Sequence, residues 1–342
     1  MNDAHDTLRR LPGVADADLP FPGERRIGEH LLREAARADG RPAPARRRPF
    51  FLVLAAGAAT CAVALAVTLG LGTDEGRPVV AAPPDPAAVR LLDRVALSAQ
   101  ALPAPAVRDG QFLYTRTVGH TTALTETKSG AMEASREDAA AERWVSVDRK
   151  VPTLVRTSRG ASTLPPDGGY GRPNIGNPTY RYLESLPTDP DALLELIYED
   201  TRLNHGPGSG STTGPDQQAF VAIGDLLRTV EAPPGVSAAL YRAAARIPGV
   251  VYVPEAKDAA GRSGVAVARV HGGERIEWIF DEGSLRLLGE RTVVLEDGAW
   301  GKAGDEVTSV AIVGRGVVDR GGDRPAGQGG TGQGGAGQAT AG

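Results

Sequence analysis

The sequence predicts an α+β protein in which a single transmembrane helix precedes an extracytoplasmic antiparallel sheet with a helical insertion. Three observations favour this fold class. An uncharged apolar run, Phe50 to Leu71, has about 22 residues, enough to cross a bilayer as a helix of roughly 33 Å. After it, segments with strand and helix periodicity follow one another in blocks. The final strands are joined by short connections, which favours an antiparallel meander over parallel βαβ units.

Composition narrows the class of protein further. The chain has 342 residues, a net charge of −4 and one cysteine. It is long enough to bury a core, and its charge lacks the basic field on which nucleic-acid binding depends, so we expect no nucleic-acid partner. A single cysteine excludes a disulfide framework and a cysteine-rich zinc site.

The predicted cytoplasmic tail, residues 1–48, contains one amphipathic helix at residues 23–40. Ile27, Leu31 and Leu32 lie on one face of that helix. One short helix cannot bury its own apolar face. Two interpretations stay open: docking into a groove of a cytoplasmic protein partner, or contact with lipid headgroups.

The transmembrane helix is predicted over residues 49–72. Three arginines at positions 46–48 precede it, whereas Asp74 and Glu75 follow it. The positive-inside rule therefore places the N-terminus in the cytoplasm and the C-terminal domain outside, in a single-pass protein of the cell membrane. A signal peptide cleaved near Ala82 is the alternative, but the apolar run is longer than such signals carry and nearly 50 residues precede it.

A linker at residues 73–84 leads into the extracytoplasmic α+β domain, residues 85–320. Asp85 and Pro86 have the residue types of a helix N-cap and first turn, and Pro103 should end that helix. Strands are then expected in three short runs: 112–118, 143–147 and 153–158.

The density of Gly, Pro and Asn at residues 160–177 predicts a loop, after which three helices form the insertion. These helices begin near Pro190, Pro215 and Pro234. Five closing strands follow, with hairpin turns at residues 272–273 and 281–284. Residues 321–342 are glycine-rich and predicted to be disordered.

Several segments of the domain carry a resemblance to a known family. They are SLPTDPDALLELIY (185–198), GPDQQAFVAIGDLLR (214–228), ALYRAAARIPGV (239–250), EWIFD (277–281) and LGERTVV (288–294). Together they resemble an uncharacterised actinobacterial family of single-pass membrane proteins often encoded near extracytoplasmic-function sigma factors. The order of elements is also similar to the LolA-like and RseB-like half-barrel, a curved antiparallel sheet around a helix block that binds lipids or lipoproteins. The resemblance implies a regulatory or envelope-stress context. No catalytic residues are established for the family, so none are carried over to this chain.

No catalytic, metal or cofactor motif assembles, so we expect neither an enzyme nor a bound cofactor. The five histidines, among them His120 and His205, are not paired at ligand spacing. The glycine-rich stretch after His205 lacks both the P-loop lysine and a G-x-S-x-G elbow. The carboxylates of residues 274–282 favour a solvated strand edge, and Cys61 falls within the transmembrane helix.

Aromatic residues on predicted strands are the candidate ligand pocket. They are Trp144, Trp278, Phe112, Tyr114, Tyr252 and Phe280. On a half-barrel these side chains could line an apolar cavity for a lipid-like ligand, or they could fill the core between the sheet and the helices. The leading hypothesis is a membrane-anchored sensing or regulatory module of unknown ligand; the alternative is a tethered lipid- or lipoprotein-binding envelope protein.

Overall fold

The computed structural model describes residues 82–127, 130, 132–164, 173–205, 214–229 and 231–326. Five helices and ten strands occupy these ranges. The helices are α1 (Pro86–Gln100), α2 (Tyr180–Glu184), α3 (Pro190–His205), α4 (Pro215–Thr229) and α5 (Pro234–Ala244). The strands are β1 (Phe112–Glu126), β2 (Met132–Asp138), β3 (Ala141–Ser146), β4 (Thr153–Thr157), β5 (Gly160–Leu164), β6 (Val250–Lys257), β7 (Ser263–His271), β8 (Glu274–Phe280), β9 (Leu287–Val294) and β10 (Glu306–Val318).

The ten strands form one open antiparallel sheet, ordered β5-β4-β3-β1-β10-β9-β8-β7-β6, with β2 also paired to β1. The predicted α+β class, antiparallel sheet and helical insertion are confirmed. The closing strands form the expected meander from β6 to β10. The last strand, β10, pairs with β1, the first strand of the domain. The first and last strands in the chain are therefore neighbours in the middle of the sheet.

Strand β1 is long enough to pair with two strands, β3 and β2, one after the other along the same edge. Phe112 pairs with Ser146 of β3, whereas His120 pairs with Asp138 of β2, in one continuous register. The predicted loop at residues 160–177 is wrong at its start, since β5 extends over residues 160–164 as an edge strand paired with β4. Local Gly and Pro content could not show that pairing.

Helix α1 begins where its sequence predicts. The carboxylate of Asp85 accepts a hydrogen bond from the backbone N–H of Ala87 at 2.8 Å, which satisfies one of the free donors of the first turn. The second carboxylate oxygen of Asp85 accepts from the backbone N–H of Tyr252 at 3.2 Å. The N-cap therefore also attaches α1 to strand β6.

The four longer helices cover one face of the sheet, here called the helix face. Phe220 of α4 stacks on Trp278 of β8 with ring centroids 4.0 Å apart, and Tyr241 of α5 meets Phe280 edge-on at 5.8 Å. Helix α1 packs against α5 and β6 and buries Leu92 and Val95. This layer holds the main apolar core.

The opposite surface of the sheet, here called the second face, carries polar residues and two smaller apolar clusters. Pleat alternation places Glu277 on it, between Ile276 and Trp278 of the helix face. One cross-strand row on the second face runs through Asp138, His120, Ser309, Arg291 and Glu277.

Glu277 contradicts the expectation of a solvated strand edge. Its side chain is fully buried, and its two carboxylate oxygens each pair with an arginine: Arg275 at 2.7 Å and Arg291 at 2.7 Å. A buried carboxylate needs such partners because its desolvation is otherwise unfavourable. Arg275 lies on β8 and Arg291 on β9, and the local sequence pattern does not mark either of them as a partner of Glu277.

The membrane predictions lie outside the described residues. These are the cytoplasmic tail 1–48, the transmembrane helix 49–72, most of the linker 73–84 and the tail beyond residue 326. Within the ranges that the structure describes, no helix combines the length and apolar character needed to cross a bilayer. The described chain continues six residues past Arg320, the predicted end of the domain, and residues 321–325 pack on the second face.

Candidate functional site

A polar cleft of about 550 Å³ opens on the second face of the sheet. Strands β1, β2 and β10 form one side of it, and the turn between β6 and β7 forms the other. Its lining residues are Gly119, His120, Arg136, Glu137, Asp138, Asp258, Ala259, Gly261, Glu306 and Ser309. The volume is within the usual range for a small-ligand site.

His120 lines the cleft and is held at both ring nitrogens. Arg136 donates to Nδ1 at 2.7 Å, and Nε2 lies 3.1 Å from the backbone carbonyl of Glu306. A guanidinium can only donate, so Nδ1 accepts and Nε2 carries the proton that it donates to the carbonyl. The geometry therefore fits the neutral imidazole, with its position fixed by β2 on one side and β10 on the other.

Ser309 lies directly opposite His120 across the β1–β10 ladder. Its side chain is 1% exposed, and its hydroxyl has no hydrogen-bond partner among the described residues. Burying a hydroxyl without a partner costs about 1–3 kcal/mol. A water or a ligand in the adjoining polar cleft can complete the hydrogen bonding of this hydroxyl.

The backbone at this point depends on a glycine. A Cβ atom on Gly119 would collide with the backbone carbonyl of Ser309, and Gly119 has a φ of 141°. Only glycine permits both this conformation and this approach of β1 to β10. The position of His120 relative to Ser309 therefore rests on the residue that precedes His120.

The remaining polar groups of the cleft are mostly acidic. Asp258 accepts from the guanidinium of Arg262 at 2.7 Å, and the carboxylate of Glu306 pairs with Arg291 at 2.8 Å. Among the described residues, Asp138 accepts one hydrogen bond, from the backbone N–H of Ala140 at 2.9 Å. Carboxylate oxygens therefore line the cleft together with the one guanidinium of Arg136, which suits a small polar ligand rich in hydrogen-bond donors.

Arg262 holds the β6–β7 turn over the sheet. Its guanidinium donates to the backbone carbonyls of Leu288 at 3.1 Å and Ile312 at 2.9 Å. Leu288 lies at the register shift of the β8–β9 pairing, and Ile312 lies at the register shift of the β1–β10 pairing. An irregular ladder leaves backbone groups without strand partners, and one side chain supplies the bonds at both places.

The six predicted pocket residues lie in two separate clusters. Trp278, Phe280 and Tyr252 belong to the core of the helix face. Tyr114, Trp144 and Phe112 lie on the second face with Leu154 and Val318. Trp144, Trp278, Tyr114 and Phe280 are 0–1% exposed, and none of the six lines the polar cleft.

The second-face cluster includes a charged group. Tyr114 donates from its hydroxyl to Glu142 at 2.6 Å, and Arg324 forms two bonds to the same carboxylate. The bonds from Arg324 are the main cause that lowers the pKa of Glu142 to about 2, and burial raises the pKa of Tyr114 to about 12. The hydroxyl stays protonated and the carboxylate stays charged across the physiological range.

From the sequence, His120 was considered only as one of five histidines without ligand spacing, and Arg136, Asp138 and Ser309 were missed. The only available signal was the position of His120 in a run of β-branched residues, and the strands that pair with it could not be read from one sequence. Among the described residues, no group of three or more His, Cys, Asp or Glu side chains is arranged to hold a metal ion. The glycine-rich stretch 206–213 lies outside the described residues.

Comparisons with protein-family models, with curated proteins and with solved structures find no match to this chain. The family resemblance therefore stays a prediction.

Proposed function

We propose that this protein is a membrane-anchored extracytoplasmic sensing and regulatory module whose outer domain binds a small polar ligand. Residues 49–72 anchor it as a single-pass helix in the cell membrane. Residues 23–40 contact a cytoplasmic protein partner, for which the family resemblance suggests a sigma factor. The outer sheet, in this proposal, is a half-barrel of the LolA-like and RseB-like kind.

One observation carries the ligand-binding part of the proposal. The cleft places a buried hydroxyl without a partner, that of Ser309, next to charged groups of both signs. Structural polar clusters normally satisfy their own members, as Glu277 is satisfied by two arginines. The incomplete hydrogen bonding at Ser309 supports a role in recognition.

The alternative function, a tethered lipid or lipoprotein binder, depends on an apolar cavity lined by the aromatic residues. Four of the six are packed at 0–1% exposure, and the two clusters lie on opposite faces of the sheet. The polar cleft is therefore the stronger candidate for the ligand site.

Ligand binding is tested with the full chain in detergent micelles. We would measure thermal unfolding against a panel of water-soluble sugars, amino acids and polyamines, and against phospholipid vesicles. We expect stabilisation by a member of the polar panel that is lost in Arg136→Ala. The control Arg202→Ala removes an exposed ion pair with Glu195 on α3 and should retain it. Stabilisation by vesicles alone would favour the lipid-binding alternative instead.

The regulatory part is tested separately in cells. Deleting residues 23–40 should change transcription of neighbouring genes while the protein remains in the membrane. An unchanged transcriptome, with normal membrane insertion, would contradict coupling to a cytoplasmic regulator. Reporter fusions at residue 40 and at the C-terminus check the orientation.

A further inference from the structure

The last described segment of the chain lies across the second face of the sheet. We call residues 321–325 the strap. Gly321 approaches the ring of Phe112, and Gly322 lies near Leu154. The indole N–H of Trp144 donates to the backbone carbonyl of Asp323. The strap therefore covers an aromatic surface that none of the described helices covers.

Arg324 of the strap is bound in the manner of a recognised ligand. Its Nε donates to Glu142 Oε1 at 2.6 Å and its Nη2 donates to Oε2 at 2.8 Å. This two-bond fork is the strongest geometry available between a guanidinium and a carboxylate. The side chain of Glu142 is 11% exposed, so little water competes for these oxygens.

The receiving surface is organised by groups outside the strap. Tyr114 orients Glu142 through its hydroxyl at 2.6 Å, and Arg156 lies 3.5 Å from the same carboxylate. The Arg156 guanidinium also lies over the Trp144 ring, 5.0 Å from its centroid. All of these groups lie on β1, β3 and β4, so the surface does not need the strap to exist.

The sheet also leaves space for the strap backbone. A Cβ atom on Gly316 of β10 would lie only 2.6 Å from Cγ of Pro325. A larger residue at this position would therefore push the strap away. Strand β10 thus has a glycine, Gly316, at the point where the strap crosses it.

The strap itself is held by few interactions and belongs to no strand. Arg324 is 35% exposed at its side chain, so water reaches the guanidinium from the outer side and a competing arginine can approach the same carboxylate. The strap follows β10 at the end of the described domain, so its release breaks no strand pairing. A competing segment needs to replace only one fork, one indole bond and a short apolar contact.

We propose that this surface is a binding site for an extended, arginine-bearing peptide of another protein, and that the strap occupies it as an internal ligand. Glu142 selects the guanidinium, Trp144 binds a backbone carbonyl, and the groove beside Gly316 accepts a small or proline residue. The site is distinct from the polar cleft, since Tyr114 and His120 are six residues or roughly 20 Å apart along β1.

The test uses the full chain in detergent and a fluorescein-labelled peptide, GGDRPAGQ, with the sequence of residues 321–328. The variant Arg324→Ala loosens the strap. We expect it to bind the peptide at least ten-fold more tightly than the unaltered chain in fluorescence anisotropy. A peptide with alanine in place of arginine should bind at least ten-fold more weakly.

Two controls separate recognition from altered folding. Adding Glu142→Gln to the loosened chain should abolish binding, whereas adding Glu195→Gln, which removes an exposed pair with Arg202, should not. A chain ending at Arg320 is the second strap-free variant and should also bind. Absence of binding to both folded variants, or unfolding of both, would overturn the proposal, because the strap would then be a structural element only.

Discussion

Replacing Ser309 by alanine should stabilise the domain in the absence of ligand. The Ser309 side chain is 1% exposed and its hydroxyl has no partner in the described structure. Removing an unpaired buried hydroxyl recovers about 1–3 kcal/mol. The oxygen leaves a void of roughly 10–20 Å³, which costs about 0.2–0.5 kcal/mol. The free energy of unfolding should therefore rise by about 1 kcal/mol.

Ser146 provides the matched control because it is also 1% exposed but its hydroxyl donates to Asp148 at 3.0 Å. Ser146→Ala should lower the free energy of unfolding by about 1 kcal/mol. The two variants remove the same atom from equally buried positions. Urea unfolding followed by tryptophan fluorescence, together with thermal unfolding, measures both differences.

Opposite signs for the two variants would support the reasoning. If Ser309→Ala destabilises the domain as much as Ser146→Ala, the Ser309 hydroxyl has a partner in solution and the argument for an incomplete site fails. Ser309→Ala should in addition weaken any ligand that stabilises the unaltered chain, which is the usual exchange of stability for function at binding sites.

Two further predictions concern packing and pH. Gly224→Ala in α4 should lower the free energy of unfolding by about 1–2 kcal/mol. The added Cβ would lie 2.6 Å from Trp278 Nε1. The resulting strain exceeds the gain of ~1 kcal/mol in helix propensity. Gly235→Ala, with its nearest atom at 3.5 Å, should be neutral or stabilising in the same unfolding assay; equal effects would contradict this account. Glu142 has a pKa of about 2, below its usual 4.5, so its contribution is complete above pH 4.5 and is lost as the pH falls towards 2. Acid titration of stability should show a loss of ~1–2 kcal/mol in this window that is reduced in Arg324→Ala, and an unchanged acid profile in that variant would refute it.

Local sequence patterns predicted much of the fold correctly. Asp85 and Pro86 mark the start of α1, and alternating β-branched residues mark the strands of the closing meander. These features depend on interactions between neighbouring residues, namely capping, periodicity and turn geometry. The edge strand β5 was missed because its pairing with β4 is the main contact that defines it.

The candidate site could not be predicted in the same way. His120 was recognisable as a titratable residue, but its contact at the Glu306 carbonyl is 186 positions away in the chain. The partnership of Glu142 with Arg324 spans 182 positions. A single sequence contains no local signal for pairings of this length.

The sequence by itself determined the kind and order of most elements, since helix and strand periodicity depends on a few neighbouring residues; β2, β5 and the short helix α2 were not predicted. Only the tertiary structure decided which polar groups meet. The pairing of β1 with β10 places His120 opposite Ser309, and the same pairing sets the strap over Trp144. Strand register depends on which strands pair and on which of their faces is buried. It is therefore defined only once strands distant in the chain have paired.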